Sequence, residues 1–174
     1  MKRVLLYFLG MSILIVLAFG CAKDNIVEVD PQESDDPDDY ISNTTFAHNV
    51  SVVFSSSGDA TVSAVSSDFD VKVLGNDVTI VYGGDEYVMY ELSGTTNDGF
   101  FKLYSGKKQG ITLNGVSITN PNGAAVNVQG TKTSPSKGKR TFVVVTGTNV
   151  LNDGANYTDT PSGEDEKAVL FGEG

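Results

Sequence analysis

From Thr45 onward, apolar residues recur in short alternating runs set apart by Gly, Asn, Asp and Pro. Runs at 50–54, 60–65, 69–74, 78–82, 87–92, 100–104, 111–113, 116–118, 124–128 and 141–145 are rich in Val, Ile, Phe and Tyr and read as strands. No stretch of this region sustains a 3.6-residue period, and glycines such as Gly75, Gly94, Gly115, Gly123, Gly147 and Gly154 punctuate the runs. The expectation is an all-β fold.

Short strands with frequent glycine corners suit a sandwich or jelly roll as well as a solenoid, so a repeat has to decide between them. Ile111 and Phe142 begin comparable runs 31 positions apart, each followed by an Asn/Gly corner and a second apolar run, at 116–118 and at 150–151. That spacing falls in the solenoid range and predicts a parallel β-helix. In residues 110–130 the inward set is Ile111, Leu113, Val116, Ile118, Ala124, Val126 and Val128, with alternation broken at Asn114-Gly115 as a corner requires. Asn114, Asn149 and Asn152 fall at corners, where they either stack as amide ladders or serve as ordinary turn residues. About three turns are available, and residues 167–174 read as a strand entering a further corner rather than a polar cap, so the β-helix is expected to be incomplete at its C-terminal end.

The beginning of the chain reads differently. Lys2 and Arg3 precede an apolar run over residues 4–19 that ends in Leu17-Ala18-Phe19-Gly20-Cys21, the parts of a cleaved leader. The single cysteine, Cys21, resembles the lipidated cysteine of a bacterial lipobox, although Ala18 stands where Leu is usual. Residues 1–20 are therefore expected to be a lipoprotein signal peptide, with an unmodified thiol after an ordinary leader as the alternative. Residues 21–44 carry a dense run of Asp and Glu with Pro31 and Pro37 and read as an acidic disordered tether. An acidic calcium loop is the other reading, but 35–39 lacks the Gly turn and closing Glu of an EF-hand. The folded part is then 45–174.

Charge narrows the partners. The chain carries −10, and losing Lys2 and Arg3 with the leader makes it more negative, which repels nucleic acid and anionic lipid. Membrane attachment is expected through the lipid anchor only, at the cell envelope, on the outer membrane or the cell surface.

Nucleophilic chemistry finds little support. His48 is the only histidine and stands in no triad motif, and phosphate loops, HExxH and paired-cysteine zinc patterns are missing from the sequence. Oxygen-rich residues cluster instead at Asn149, Asn152 and Asp153, followed by a loop with Glu164, Asp165 and Glu166. Such groups suit a hard cation such as Ca2+, although turn chemistry alone also explains Asn-Asp-Gly. Alternation also sends Phe100, Lys102 and Tyr104 outward on one strand and Tyr87 outward on the preceding one. Flat rings stack on sugars and Lys102 between two rings suits a uronate carboxylate; packing of the same rings under a loop is the competing reading.

Tyr90–Gly99, the run Ile111-Thr-Leu-Asn-Gly-Val-Ser-Ile, Gly123-Ala-Ala-Val and Gly147-Thr-Asn-Val-Leu-Asn-Asp-Gly together resemble the carbohydrate-binding β-helix family of secreted bacterial proteins, the cellulose- and pectin-binding type similar in fold to family 9 pectate lyases. The resemblance spans about residues 45–174. It implies a right-handed parallel β-helix, bound calcium and binding of acidic or neutral plant polysaccharide without demonstrated catalysis. It also implies that Asn149, Leu151 and Asp153, matching the family's Asn-x-Leu-x-Asp corner, are structural or calcium-linked. The resemblance further implies turns beyond those expected from residues 45–174.

The function expected is a surface-anchored, non-catalytic polysaccharide-binding lipoprotein for plant-type or acidic glycans, pectin- or cellulose-like, associated with calcium. A calcium-dependent polysaccharide lyase and a structural surface adhesin are the alternatives. For the lyase, Lys107, Lys108, Lys137, Lys139 and Arg140 are present, but nothing in the sequence sets one against a carboxylate cluster.

Overall fold

Val, Ile, Leu and aromatic side chains at alternate positions leave each strand with one apolar face, and that face must find a partner. The computed structural model describes residues 36–63, 66–130, 140–158, 160–162, 164 and 166–172. Cys21, the leader and Asp165 lie outside the described residues.

Among the described residues twelve strands follow one another: β1 (His48–Phe54), β2 (Thr61–Ser63), β3 (Phe69–Leu74), β4 (Asp77–Tyr82), β5 (Val88–Thr96), β6 (Phe100–Ser105), β7 (Gln109–Asn114), β8 (Ser117–Asn120), β9 (Val126–Gln129), β10 (Thr141–Thr146), β11 (Val150–Asp153) and β12 (Leu170–Gly172). No α-helix occurs among the described residues, and the fold is all-β. One sheet runs β10-β7-β5-β1-β2, with β8 pairing the end of β5 and β11 pairing β8; a second runs β12-β9-β6-β4-β3.

Both sheets are mixed. Strands β1, β5, β7 and β10 pair in parallel, as do β4, β6, β9 and β12. The antiparallel pairs, β1 with β2 and β3 with β4, lie at one edge of each sheet. They are hairpins, whose short connections reverse the chain and exclude parallel pairing. Asn76 ties the two connections together: its side chain accepts from Ser55 N at 2.9 Å and donates to the carbonyls of Ser55 at 2.9 Å and Gly58 at 3.2 Å.

Parallel register stacks like on like. Val50 lies beside Tyr90 and Tyr90 beside Ile111; in the second sheet Val78 lies beside Phe101 and Phe101 beside Val126. Every member of the expected inward set, from Ile111 to Val128, is buried. The repeat is real but one residue longer than the apolar runs suggest: Gly110 pairs with Phe142 and Ile111 with Val143. On the last strands Val143, Val145, Val150 and Leu170 remain exposed.

The corner after Leu113 is built on backbone freedom. Gly94, Gly115 and Gly147 have φ of 83°, 63° and 69°, in the left-handed region that glycine enters without a Cβ penalty. Asn149, after the last of them, accepts a hydrogen bond from Val116 N at 2.8 Å and donates to Thr146 O at 3.0 Å, so it closes the corner across neighbouring strands. The three corner asparagines do not bond to one another here. Asn114 accepts from the Thr146 hydroxyl at 3.2 Å and Asn152 donates to the Thr119 hydroxyl at 3.2 Å, because the residue a repeat away offers a hydroxyl or an N–H rather than an amide.

Residues 36–43, expected in the tether, instead form two short 3-10 turns, Pro37–Asp39 and Ile41–Asn43. Arg140 and Lys108 supply the positive charge that a solvated acidic run would lack.

Candidate functional site

Strand β6 places its side chains as alternation predicts, with Phe101 and Leu103 in the core and Phe100, Lys102 and Tyr104 on the other face. That outer face is partly roofed. Lys102 is only 7 % exposed, and its neighbours in β9, Asn127 and Gln129, are buried although they are polar. Glu164 and Glu166, which lie between β11 and β12 in the sequence, contribute to the cover.

These groups form one network. Lys102 Nζ lies 2.6 Å from Glu166 Oε1 and 3.5 Å from Glu164 Oε2. Asn127 donates its side-chain N–H to Glu166, and Gln129 donates to Asn127 Oδ1 at 2.8 Å. The Tyr104 hydroxyl donates to Glu164 Oε1 at 2.7 Å. Burial, then the Glu164 hydrogen bond, pushes the Tyr104 phenol above its ordinary value. Lys102 also lies 5.9 Å from the Phe100 ring centroid. Phe100 and Tyr104 are the half-buried rings bordering this network.

The expected role of Lys102 needs correcting on geometry. Both carboxylates claim its ammonium, so it does not stand open between two rings for a uronate; with Glu164 and Glu166 the cluster is net negative. A lysine does meet a carboxylate pair, an arrangement that residue spacing alone did not predict. Glu164 and Glu166 were visible as oxygen-rich loop residues, whereas the polar outward positions Asn127 and Gln129 were missed.

Tyr87 does not join this strip. It sits just before β5, a strand of the first sheet, with the Lys108 ammonium 5.5 Å from its ring centroid. Lys108 also lies 5.9 Å from the Phe142 ring, and Phe142 meets Phe46 edge-on at 6.4 Å. His48 pairs with Glu86 at 3.0 Å and packs edge-on against Phe69.

The described candidate cation ligands make local contacts. Both ends of the Asn149 amide bond the backbone, Asn152 holds Thr119, and Asp153 accepts from the Tyr157 hydroxyl, whose pKa that hydrogen bond pushes up to about 12. Among the described residues no group of three or more His, Cys, Asp or Glu side chains is disposed to hold a metal. Asn149 serves the corner.

Residues 74–174, more than half of the chain, match the family described as "Carbohydrate-binding domain-containing protein". The chain belongs to this carbohydrate-binding family. Comparison with curated proteins and with solved structures returned no match. The matched span takes in the Lys102 network, both half-buried rings and the strands from β4 to β12. Family membership makes polysaccharide the expected partner and a non-catalytic binding role the expected activity.

Proposed function

We propose that the chain is a non-catalytic polysaccharide-binding lipoprotein of the cell surface, anchored through Cys21, with neutral, cellulose-like glycan bound along the outer face of β6. The scaffold in this reading is a right-handed parallel β-helix. Support comes from the three successive parallel pairings of each sheet and from the strong right-handed preference of parallel crossovers.

The observation that carries the ligand class is the Lys102–Glu166–Glu164 cluster beside Phe100 and Tyr104. Half-buried rings offer an apolar surface to a sugar, while a net negative neighbour disfavours a carboxylate-bearing one. The lyase alternative needs a base free to take a proton; of the basic residues named for it, Lys107 pairs with Asp85, Lys108 and Arg140 pair with aspartates of residues 36–39, and Lys137 and Lys139 lie outside the described residues.

Calorimetry of the full chain with a soluble neutral β-glucan tests the reading. Binding should weaken about tenfold in Phe100→Ala, the loss of one ring contact worth roughly 1.4 kcal/mol. Failure to bind any neutral glycan, or an unchanged affinity in Phe100→Ala, contradicts it. Anchoring is tested separately: Cys21→Ser should abolish incorporation of a labelled fatty acid, and persistent labelling would overturn it.

A further inference from the structure

On the other sheet, two cations and two rings form a second built surface. Lys108 is 5 % exposed and lies against both Tyr87 and Phe142. Arg140 begins the approach to β10, its carbonyl accepting from Gln109 N at 3.0 Å, so backbone pairing fixes it beside Lys108. Cations held next to aromatic rings are a donor set for carboxylates on a polymer that also offers a flat face.

That surface is occupied by the chain itself. Arg140 Nε lies 2.5 Å from Asp39 Oδ1, Nη2 lies 2.5 Å from Asp36 Oδ2 and Nη1 lies 3.7 Å from Asp38 Oδ2. Lys108 Nζ lies 3.3 Å from Asp38 Oδ1 and 3.5 Å from its backbone carbonyl. Three carboxylates within four residues therefore converge on the two cations.

We infer that Lys108, Arg140, Tyr87 and Phe142 form a binding face for a carboxylate-bearing polymer, and that residues 36–39 are an internal ligand keeping this face closed until they are displaced. Neither 3-10 turn of the covering segment contributes a buried residue, so ion pairing dominates its hold. Its three aspartate side chains are 40 to 62 % exposed, and ion pairs of that exposure contribute little each and weaken with salt. A polymer repeating the same charge gains from several contacts at once and can replace a three-carboxylate segment. Burial of Lys108 under a segment with no core of its own is what a closed site requires.

The test uses the full chain and polygalacturonate at low salt. Asp36→Asn/Asp38→Asn/Asp39→Asn should bind about tenfold more tightly than the unaltered chain, because three competing ion pairs are removed. Adding Arg140→Gln should cancel that gain. A charge-matched control, Asp59→Asn/Asp70→Asn/Asp98→Asn, should show no gain. The inference is overturned by equal affinity of the unaltered chain and the first variant, by an equal gain in the control, or by a gain that survives Arg140→Gln. Far-UV circular dichroism reports in each variant that the protein is folded, and neutral-glucan binding measured alongside keeps failure of this inference distinct from failure of the β6 reading.

Discussion

Replacing Lys102 by Met removes the ammonium that joins β6 to the stretch between β11 and β12. The side chain of Glu166 is 3 % exposed and that of Glu164 13 %, so water cannot replace the lost partner well. Breaking a buried ion pair from one side costs about 3–5 kcal/mol, and the lower end applies here because Asn127 still donates to Glu166 and Tyr104 to Glu164. For a chain of this size that loss lowers Tm by about 6–12 °C. Urea unfolding followed by far-UV circular dichroism gives the free energy directly, a suitable probe since the chain has no tryptophan. Lys102→Met/Glu166→Gln should recover about 1–2 kcal/mol, since the amide keeps an acceptor for Asn127 without leaving that charge unpaired. A loss below about 1 kcal/mol in Lys102→Met, the range of exposed pairs, would refute the buried character of this network.

Three further outcomes follow from the same structure. Gly94→Ala should destabilise by at least about 2 kcal/mol in urea unfolding, because φ is 83° and a Cβ there would lie 2.1 Å from Phe54 O. Asn149→Ala should cost about 1–3 kcal/mol by leaving Val116 N without its acceptor, with no change on adding Ca2+; calcium-dependent stability in the unaltered chain that vanishes in the variant would contradict the corner role. Tyr82, Tyr90 and Tyr104 all have phenols raised above the ordinary 10.0, chiefly by burial, so the folded state holds these protons more tightly than the unfolded state. Stability is then retained below pH 10 and falls as pH rises past it; a flat unfolding free energy between pH 9 and 11 would contradict this.

Local pattern carried much of the fold. Runs of β-branched and aromatic residues mark strands wherever one face is buried, and the corner at Asn114-Gly115 declared itself by a break in alternation that the left-handed Gly115 explains. What the pattern missed depends on distant partners. Lys102 was placed on the correct face, but its cover comes from Glu164 and Glu166, more than sixty positions later. The acidic run at 36–39 looked solvated because Arg140, its partner, lies about a hundred residues on. Tyr87 and Phe100 both face outward, yet they belong to different sheets, a distinction that alternation within a strand does not make.

The central claim is that the outer face of β6 binds neutral glycan. Titrating one soluble neutral β-glucan into the full chain and into Phe100→Ala, side by side in one calorimeter, tests it most directly. Measurable binding that weakens about tenfold in the variant is the result predicted. Equal affinities, or no heat from either protein, would contradict it.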